Sequence, residues 1–298
     1  MTFKERLTYW GFRLAWWAGA SWPEAVVRKI FAAAAEILWR GHGASVRRVE
    51  FNLARVTGQD PGSPAVRELS RRGLDSYFHY WTEMFVLSSL SVADIYARTE
   101  LRDEQYLQQA LDRGKGVMFA ATHSGSWDVA AARMAHQFGP VMTVAERLKP
   151  EALFQMFTQS REAFGFNIVP HVGGPKPPTE ALTERLLAGG IVGLASDRDL
   201  KGRGVKVSLF GSDIRMPLGA VRLARSTGAA LLPAAMFYEG DVTVIQFYPE
   251  IDFEGLNERG GYEALAKVFE QILSAHPEAW HMLQQVWLDH PKSWGGNA

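Results

Sequence analysis

Between residues 116 and 248 seven short apolar runs alternate with stretches whose apolar residues recur at helical spacing, and no other pattern limits the fold of this chain so tightly. The runs read as strands over 117–122, 141–145, 167–170, 191–196, 205–210, 230–238 and 242–248. Helices are expected over 126–138, 150–164, 178–188, 217–227 and 262–274. Such alternation predicts an α/β fold: a central mixed, mostly parallel sheet flanked by helices. Glu239-Gly240-Asp241, between the last two runs, predicts a hairpin. Ahead of this region the chain reads as helical. After a loop at 58–64 comes a long helix over 65–90, whose Tyr77, Phe78, Tyr80, Trp81 and Phe85 are assigned to the core. No linker-like stretch divides the 298 residues, so a single domain is expected.

The first forty residues, MTFKERLTYWGFRLAWWAGASWPEAVVRKIFAAAAEILWR, are rich in Trp, Phe and Leu. Arg13 interrupts what would have to be the apolar centre of a signal peptide. Pro23, Glu24, Arg28 and Lys29 break any run of the about twenty apolar residues a membrane span requires. What remains is a pair of amphipathic helices with Lys4, Arg6, Arg13, Arg28, Lys29 and Arg40 among the aromatics. Two readings of residues 1–60 stand side by side: packing on the core, or lying at an anionic membrane surface with rings at headgroup level. They are compatible if each helix buries only part of its surface. A formal net charge of zero argues against a nucleic-acid partner. The absence of cysteine removes disulfides, thiolate metal sites and cysteine nucleophiles.

Ligands of open α/β sheets gather outside the carboxyl ends of the strands. Three runs deliver polar residues there: His123-Ser124-Gly125-Ser126-Trp127-Asp128 after the first, Glu146-Arg147-Leu148-Lys149-Pro150 after the second, and Asp197-Arg198-Asp199-Leu200-Lys201-Gly202-Arg203-Gly204 after the 191–196 run. Each has an ordinary explanation. A strand-end histidine is commonly a hydrogen-bonded structural residue, an aspartate in a first helical turn is favoured by the helix dipole, and loop charges are solvated. Their coincidence at one edge points to a site. Ser124, Gly125 and Ser126 leave His123 open to approach. Asp128, one turn on, is expected to fold back onto the imidazole and leave its other nitrogen free to accept a proton. No G-x-S-x-G elbow, phosphate-binding GxxxxGK[ST] loop or HExxH spacing occurs. Direct attack of a substrate hydroxyl on an activated acyl donor fits best, and needs neither metal nor covalent intermediate.

His-x4-Asp after a buried strand resembles the signature of the glycerolipid-type acyltransferases, and HSGSWD is similar to the HSGNWD form of the lipid A late acyltransferases and their actinobacterial relatives. The resemblance extends through RRVEFNLARV (47–56), VAERLKPE (144–151), SREAFGF (160–166), DRDL (197–200), FGSDIRMPLGAVRLARSTGAAL (210–231) and PEAWHMLQQVW (277–287), nearly the whole chain from about residue 45. AERLKPE and AWHMLQ look closest to the phosphatidylinositol mannoside acyltransferases of mycobacteria. The resemblance implies a glycerol-3-phosphate acyltransferase-like αβα fold and transfer of palmitoyl from acyl-CoA, a co-substrate, to a mannose hydroxyl of a membrane glycolipid. It implies no cofactor, no metal, and a peripheral place on the cytoplasmic face of the plasma membrane. The implied catalytic set is His123 as general base, Asp128 orienting it, and Asp197, where the family can carry Glu, supporting the charge relay or positioning the sugar. Glu146, Arg161, Arg203 and Ser226 are the implied substrate-binding residues, the arginines suiting a phosphate-rich donor. A lipid A type acyltransferase, a non-catalytic lipid-binding protein and a thioesterase are the alternatives.

Overall fold

A computed structural model describes residues 2–199 and 202–289. The chain begins with α1 (Phe3–Ser21), opened by a capping box in which Thr2 accepts from the Glu5 N–H and Glu5 from the Thr2 N–H. α2 (Glu24–Gly41) follows Pro23, and α3 (Ala44–Thr57) ends at Gly58 in the left-handed region that a glycine adopts without strain. α4 (Pro64–Val86), with proline in its first turn behind a capping Ser63, packs against all three. After α5 (Val92–Ala97) strands and helices alternate: β1 (Thr99–Arg102), α6 (Glu104–Asp112), β2 (Val117–Ala121), α7 (Trp127–Phe138), β3 (Val141–Ala145), α8 (Glu151–Glu162), β4 (Phe166–Pro170), α9 (Pro178–Leu187) and β5 (Ile191–Ala195). The ribbon β6 (Val205–Leu209)–β7 (Ser212–Met216) comes next, then α10 (Gly219–Thr227), β8 (Ala230–Glu239), β9 (Val242–Phe247) and α11 (Glu258–Ala275).

The seven-stranded sheet runs β1-β9-β8-β2-β5-β3-β4. Only β8 and β9, the expected hairpin, pair antiparallel; the other five pairings are parallel. The fold is thus the expected α/β architecture: a mostly parallel mixed sheet between helices, behind a helical N-terminal portion. β2 lies at the centre because its side chains are apolar on both faces. Val117 and Phe119 join the core under α6 and α7, and Met118 and Ala120 join the core under α9, α10 and α11.

Three expectations need correction. β1, TELR, was not expected, because four polar-rich residues carry no strand signal until β9 supplies a parallel neighbour. The run at 205–210 is not in the main sheet. It pairs with β7 as a separate two-stranded ribbon whose Val207, Leu209, Ile214 and Met216 face the core by α11. The last helix starts at Glu258, four residues before the expected 262, because Asn257 accepts the Gly260 N–H and caps it there.

α1 buries one face and exposes the other. Tyr9, Phe12, Ala15 and Trp16 pack among Tyr80, Phe85 and Phe157. Phe3, Leu7, Trp10, Leu14 and Trp17, spaced four, three, four and three apart, line the solvent face and range from 83% exposed at Phe3 to 56% at Trp17. Trp22, just after α1, and Val26, Ile30 and Ile37 of α2 are exposed as well. Among the described residues no helix is long and apolar enough to cross a membrane.

Candidate active site

His123 stands two residues beyond the end of β2, and Asp197 two residues beyond the end of β5. The two strands are parallel and in register, Ala121 opposite Ala195, so the same offset brings both side chains to one place. The Nδ1 atom of His123 lies 2.5 Å from Oδ1 of Asp197, and the His123 backbone N–H donates to Oδ2 at 3.0 Å. The indole Nε1 of Trp280 donates to Oδ2 at 2.8 Å. Asp197 is fully buried, and burial by itself would raise its carboxyl. The His123 charge, the two His123 donors and the Trp280 indole outweigh that and hold the group below its ordinary value of 3.8. An ionised Asp197 accepts, so Nδ1 carries a proton and donates to it. The His123 side chain is 32% exposed and has no other hydrogen-bond partner among the described residues.

Asp128 does not reach the imidazole. It lies fully buried in the first turn of α7, where Arg161 of α8 takes it through Nε at 2.6 Å and Nη2 at 3.2 Å, and the Tyr80 hydroxyl donates to it at 3.0 Å. Burial works against the Arg161 charge, but Asp128 outweighs it and the guanidinium is held more firmly protonated than usual. Arg161 also sits over the Trp127 ring, 4.6 Å from its centroid, so a side chain expected on the donor is committed to the protein interior. The one-turn geometry predicted from His-x4-Asp fails for a physical reason. A buried carboxylate takes the nearest full charge, and α8 brings one closer than the ring.

The other expected site residues spread out. Glu146 is exposed after β3, near enough to Arg198 to act on its charge. Arg203 is exposed in the loop before β6, with no hydrogen bond or ion pair among the described residues. Leu200 and Lys201 of the same loop lie outside the described residues. Ser226 is not brought to His123: it sits in the last turn of α10, its Oγ donating to the Leu223 carbonyl, just before β8 begins. That is the amino edge of the parallel strands, opposite His123.

Beside His123 an apolar cavity of about 210 Å3 opens beneath α7. Phe119, Trp127, Ala130, Met134, Ile245 and Phe247 line its walls, with Gly193, Ala195 and Ala234 leaving the space between sheet and helix. His123 is at the cavity wall. Among the described residues no group of three His, Asp or Glu side chains is arranged to hold a metal ion. Two contributors escaped the sequence reading, Trp280 and the buried His281, whose N–H donates to the His123 carbonyl at 2.7 Å. The only signal for them was PEAWHMLQQVW.

Two histidines, the buried His281 and the partly buried His79, make the fold acid-sensitive. Burial, then the charges of His123 and His79, push His281 down to about 3; burial, then Arg28, pushes His79 down to about 4. The unfolded chain binds both protons near the ordinary 6.5, so proton uptake favours unfolding as pH falls below that value. At up to about 1.4 kcal/mol per pH unit for each group, roughly 3.5 kcal/mol of stability is lost between pH 6 and 4.5. Urea midpoints across that range should fall accordingly, and a flat midpoint would remove these histidines from the account.

Comparison with known proteins bears on the whole chain. Residues 3–289 match the family model described as bacterial lipid A biosynthesis acyltransferase. A phosphatidylinositol mannoside acyltransferase of Mycolicibacterium smegmatis is 38% identical over 283 residues, covering 95% of this chain and 92% of that protein. One of Mycobacterium tuberculosis is 40% identical over 283 residues, covering 94% of this chain and 89% of its own length.

Proposed function

Because the chain belongs to the bacterial lipid A biosynthesis acyltransferase family, we propose that it moves a long-chain acyl group, palmitoyl, from acyl-CoA to a mannose hydroxyl of a phosphatidylinositol mannoside. The observation that carries the reading is the meeting of the His123–Asp197 pair with the apolar cavity under α7. The acyl chain enters that cavity, where each methylene removed from water contributes about 0.8 kcal/mol. Its thioester carbonyl then rests beside the ring. Arg203, exposed in the loop before β6, suits the donor phosphates.

The acceptor hydroxyl gives its proton to Nε2 of His123 as its oxygen bonds to the thioester carbon. The tetrahedral intermediate collapses by breaking the carbon–sulfur bond, and the imidazolium returns the proton to the leaving CoA thiolate. Asp197 stays ionised throughout and stabilises the imidazolium. The test is mass spectrometry of protein with palmitoyl-CoA, with and without a phosphatidylinositol mono- or dimannoside. The expected product is the acceptor one palmitoyl group heavier. CoA release without acceptor mass gain would replace this reading by a thioesterase or another acceptor, including a lipid A type. Binding without CoA release would favour a carrier.

We also propose peripheral attachment to an anionic membrane, on the cytoplasmic face, through the exposed stripe of α1 and α2. Lys4, Arg6 and Arg13 flank the stripe and suit acidic headgroups. Changing Leu7, Trp10 and Leu14 together to Gln should lower partition onto anionic vesicles at least about 30-fold, since each loses part of a burial term of roughly 1.5–3 kcal/mol. Co-sedimentation at low and high salt measures this, and undiminished sedimentation of the triple variant would eliminate α1 as the anchor.

A further inference from the structure

We propose that Trp280 is a positioning residue for the His123–Asp197 pair, and that residues 279–282 form a strap that fixes the His123 loop against the end of the sheet. The inference rests on His123 acting as the base.

The strap arrives from the far end of the chain, after α11 and the short turn Pro277–Ala279, yet it forms a rung of antiparallel pairing with the loop. The Gly125 N–H donates to the Ala279 carbonyl at 3.1 Å, and the His281 N–H to the His123 carbonyl at 2.7 Å. Ser124 and Trp280 are the bridge partners between them. The loop cannot relax away from this clasp. Gly125 has φ +55, and a Cβ there would lie 2.5 Å from the Met236 carbonyl, so the turn is closed against β8 and only glycine fits.

With the loop fixed, the indole decides how the carboxylate turns. Oδ2 of Asp197 takes two donors, the His123 backbone N–H and Trp280 Nε1. Rotating the carboxylate would break both, so Oδ1 alone faces Nδ1. Trp280 is 2% exposed and packs edge-on to Trp287, which leaves its N–H no alternative partner in water. The other charged or titratable groups around the pair are Arg198 beside Asp197, Glu146 beyond it, and His281 beside His123, itself hydrogen-bonded to Ser76 at 2.9 Å.

Trp280→Phe keeps a ring and removes the donor. Expected are a kcat about ten-fold lower, a KM for palmitoyl-CoA within about two-fold of wild type, and an acid limb of the kcat–pH profile moved up by about half a unit. The sign follows from electrostatics: a carboxylate with one donor fewer is more basic and holds the imidazolium proton harder. A merely structural loss would lower kcat without moving that limb. Should the variant not fold, the wild-type protein labelled at the indole nitrogens carries the test. One of the ten tryptophans should show an N–H resonance that titrates with the kinetic acid limb and becomes pH-independent in His123→Ala. Wild-type kcat and pH profile in Trp280→Phe, or no titrating indole, overturns the proposal. Wild-type turnover by His123→Ala would instead overturn the base on which it rests, while an inactive His123→Ala beside an unaffected Trp280→Phe removes Trp280 alone.

Discussion

His123→Ala should lower the rate of acyl transfer at least about 1,000-fold while leaving the affinity for palmitoyl-CoA within about three-fold of wild type. The asymmetry follows from where the ring stands. The cavity walls are apolar side chains of the sheet and α7, and the imidazole contributes only one edge, so its loss subtracts little from acyl-chain burial. Its Nδ1 is committed to a buried carboxylate, and its Nε2 has no hydrogen-bond partner among the described residues. Removing it takes away the proton acceptor and leaves Asp197 buried with two N–H donors but no imidazole. Rapid-quench turnover beside equilibrium binding of palmitoyl-CoA separates the two effects. Retained turnover would end the assignment of His123 as base, and lost binding would place the ring in the acyl site instead.

The second large effect falls on stability. Arg161→Ala removes the partner of a fully buried carboxylate and leaves Asp128 with the Tyr80 hydroxyl alone. Breaking a buried pair from one side costs about 3–5 kcal/mol, enough to lower the melting temperature by on the order of 10 °C in a chain of this size. Replacing both partners together, Asp128→Leu with Arg161→Met, should recover much of the loss, because the desolvated charge disappears with its counter-charge. Thermal and urea unfolding of the single and double variants decide the matter. A single variant of unchanged stability with a raised KM for acyl-CoA would return Arg161 to the donor site.

Much of the fold was legible because the central strands lie between helices and are apolar or glycine at every position. β2 and β5 read as VMFAA and IVGLA, with nothing competing for their interpretation. TELR and SDIRM were not legible, since each becomes a strand only through a neighbour distant in the chain or across a turn. At the site, His123 and Asp197 were both named, but their pairing was not. A one-turn argument looks only along the chain, whereas the true partner comes across the sheet, 74 residues later. The missing signal was the offset itself. Two parallel neighbours that each place a titratable residue two positions past the strand end put them face to face when the strands are in register. Arg161 was misread for the complementary reason: a cation 33 residues from Asp128 gives no sequence hint that it faces inward.

That register has a consequence for how such a protein can diversify. The geometry of the His123–Asp197 pair is anchored to a ladder of parallel backbone pairs with β2 at its centre. The loops that follow β3, β4 and β5 are attached outside that ladder. Their length and chemistry can drift without rotating the imidazole or its carboxylate. Loop chemistry and the geometry of the pair are therefore separately heritable in this architecture: a descendant can change the loops while the imidazole stays aligned on its carboxylate.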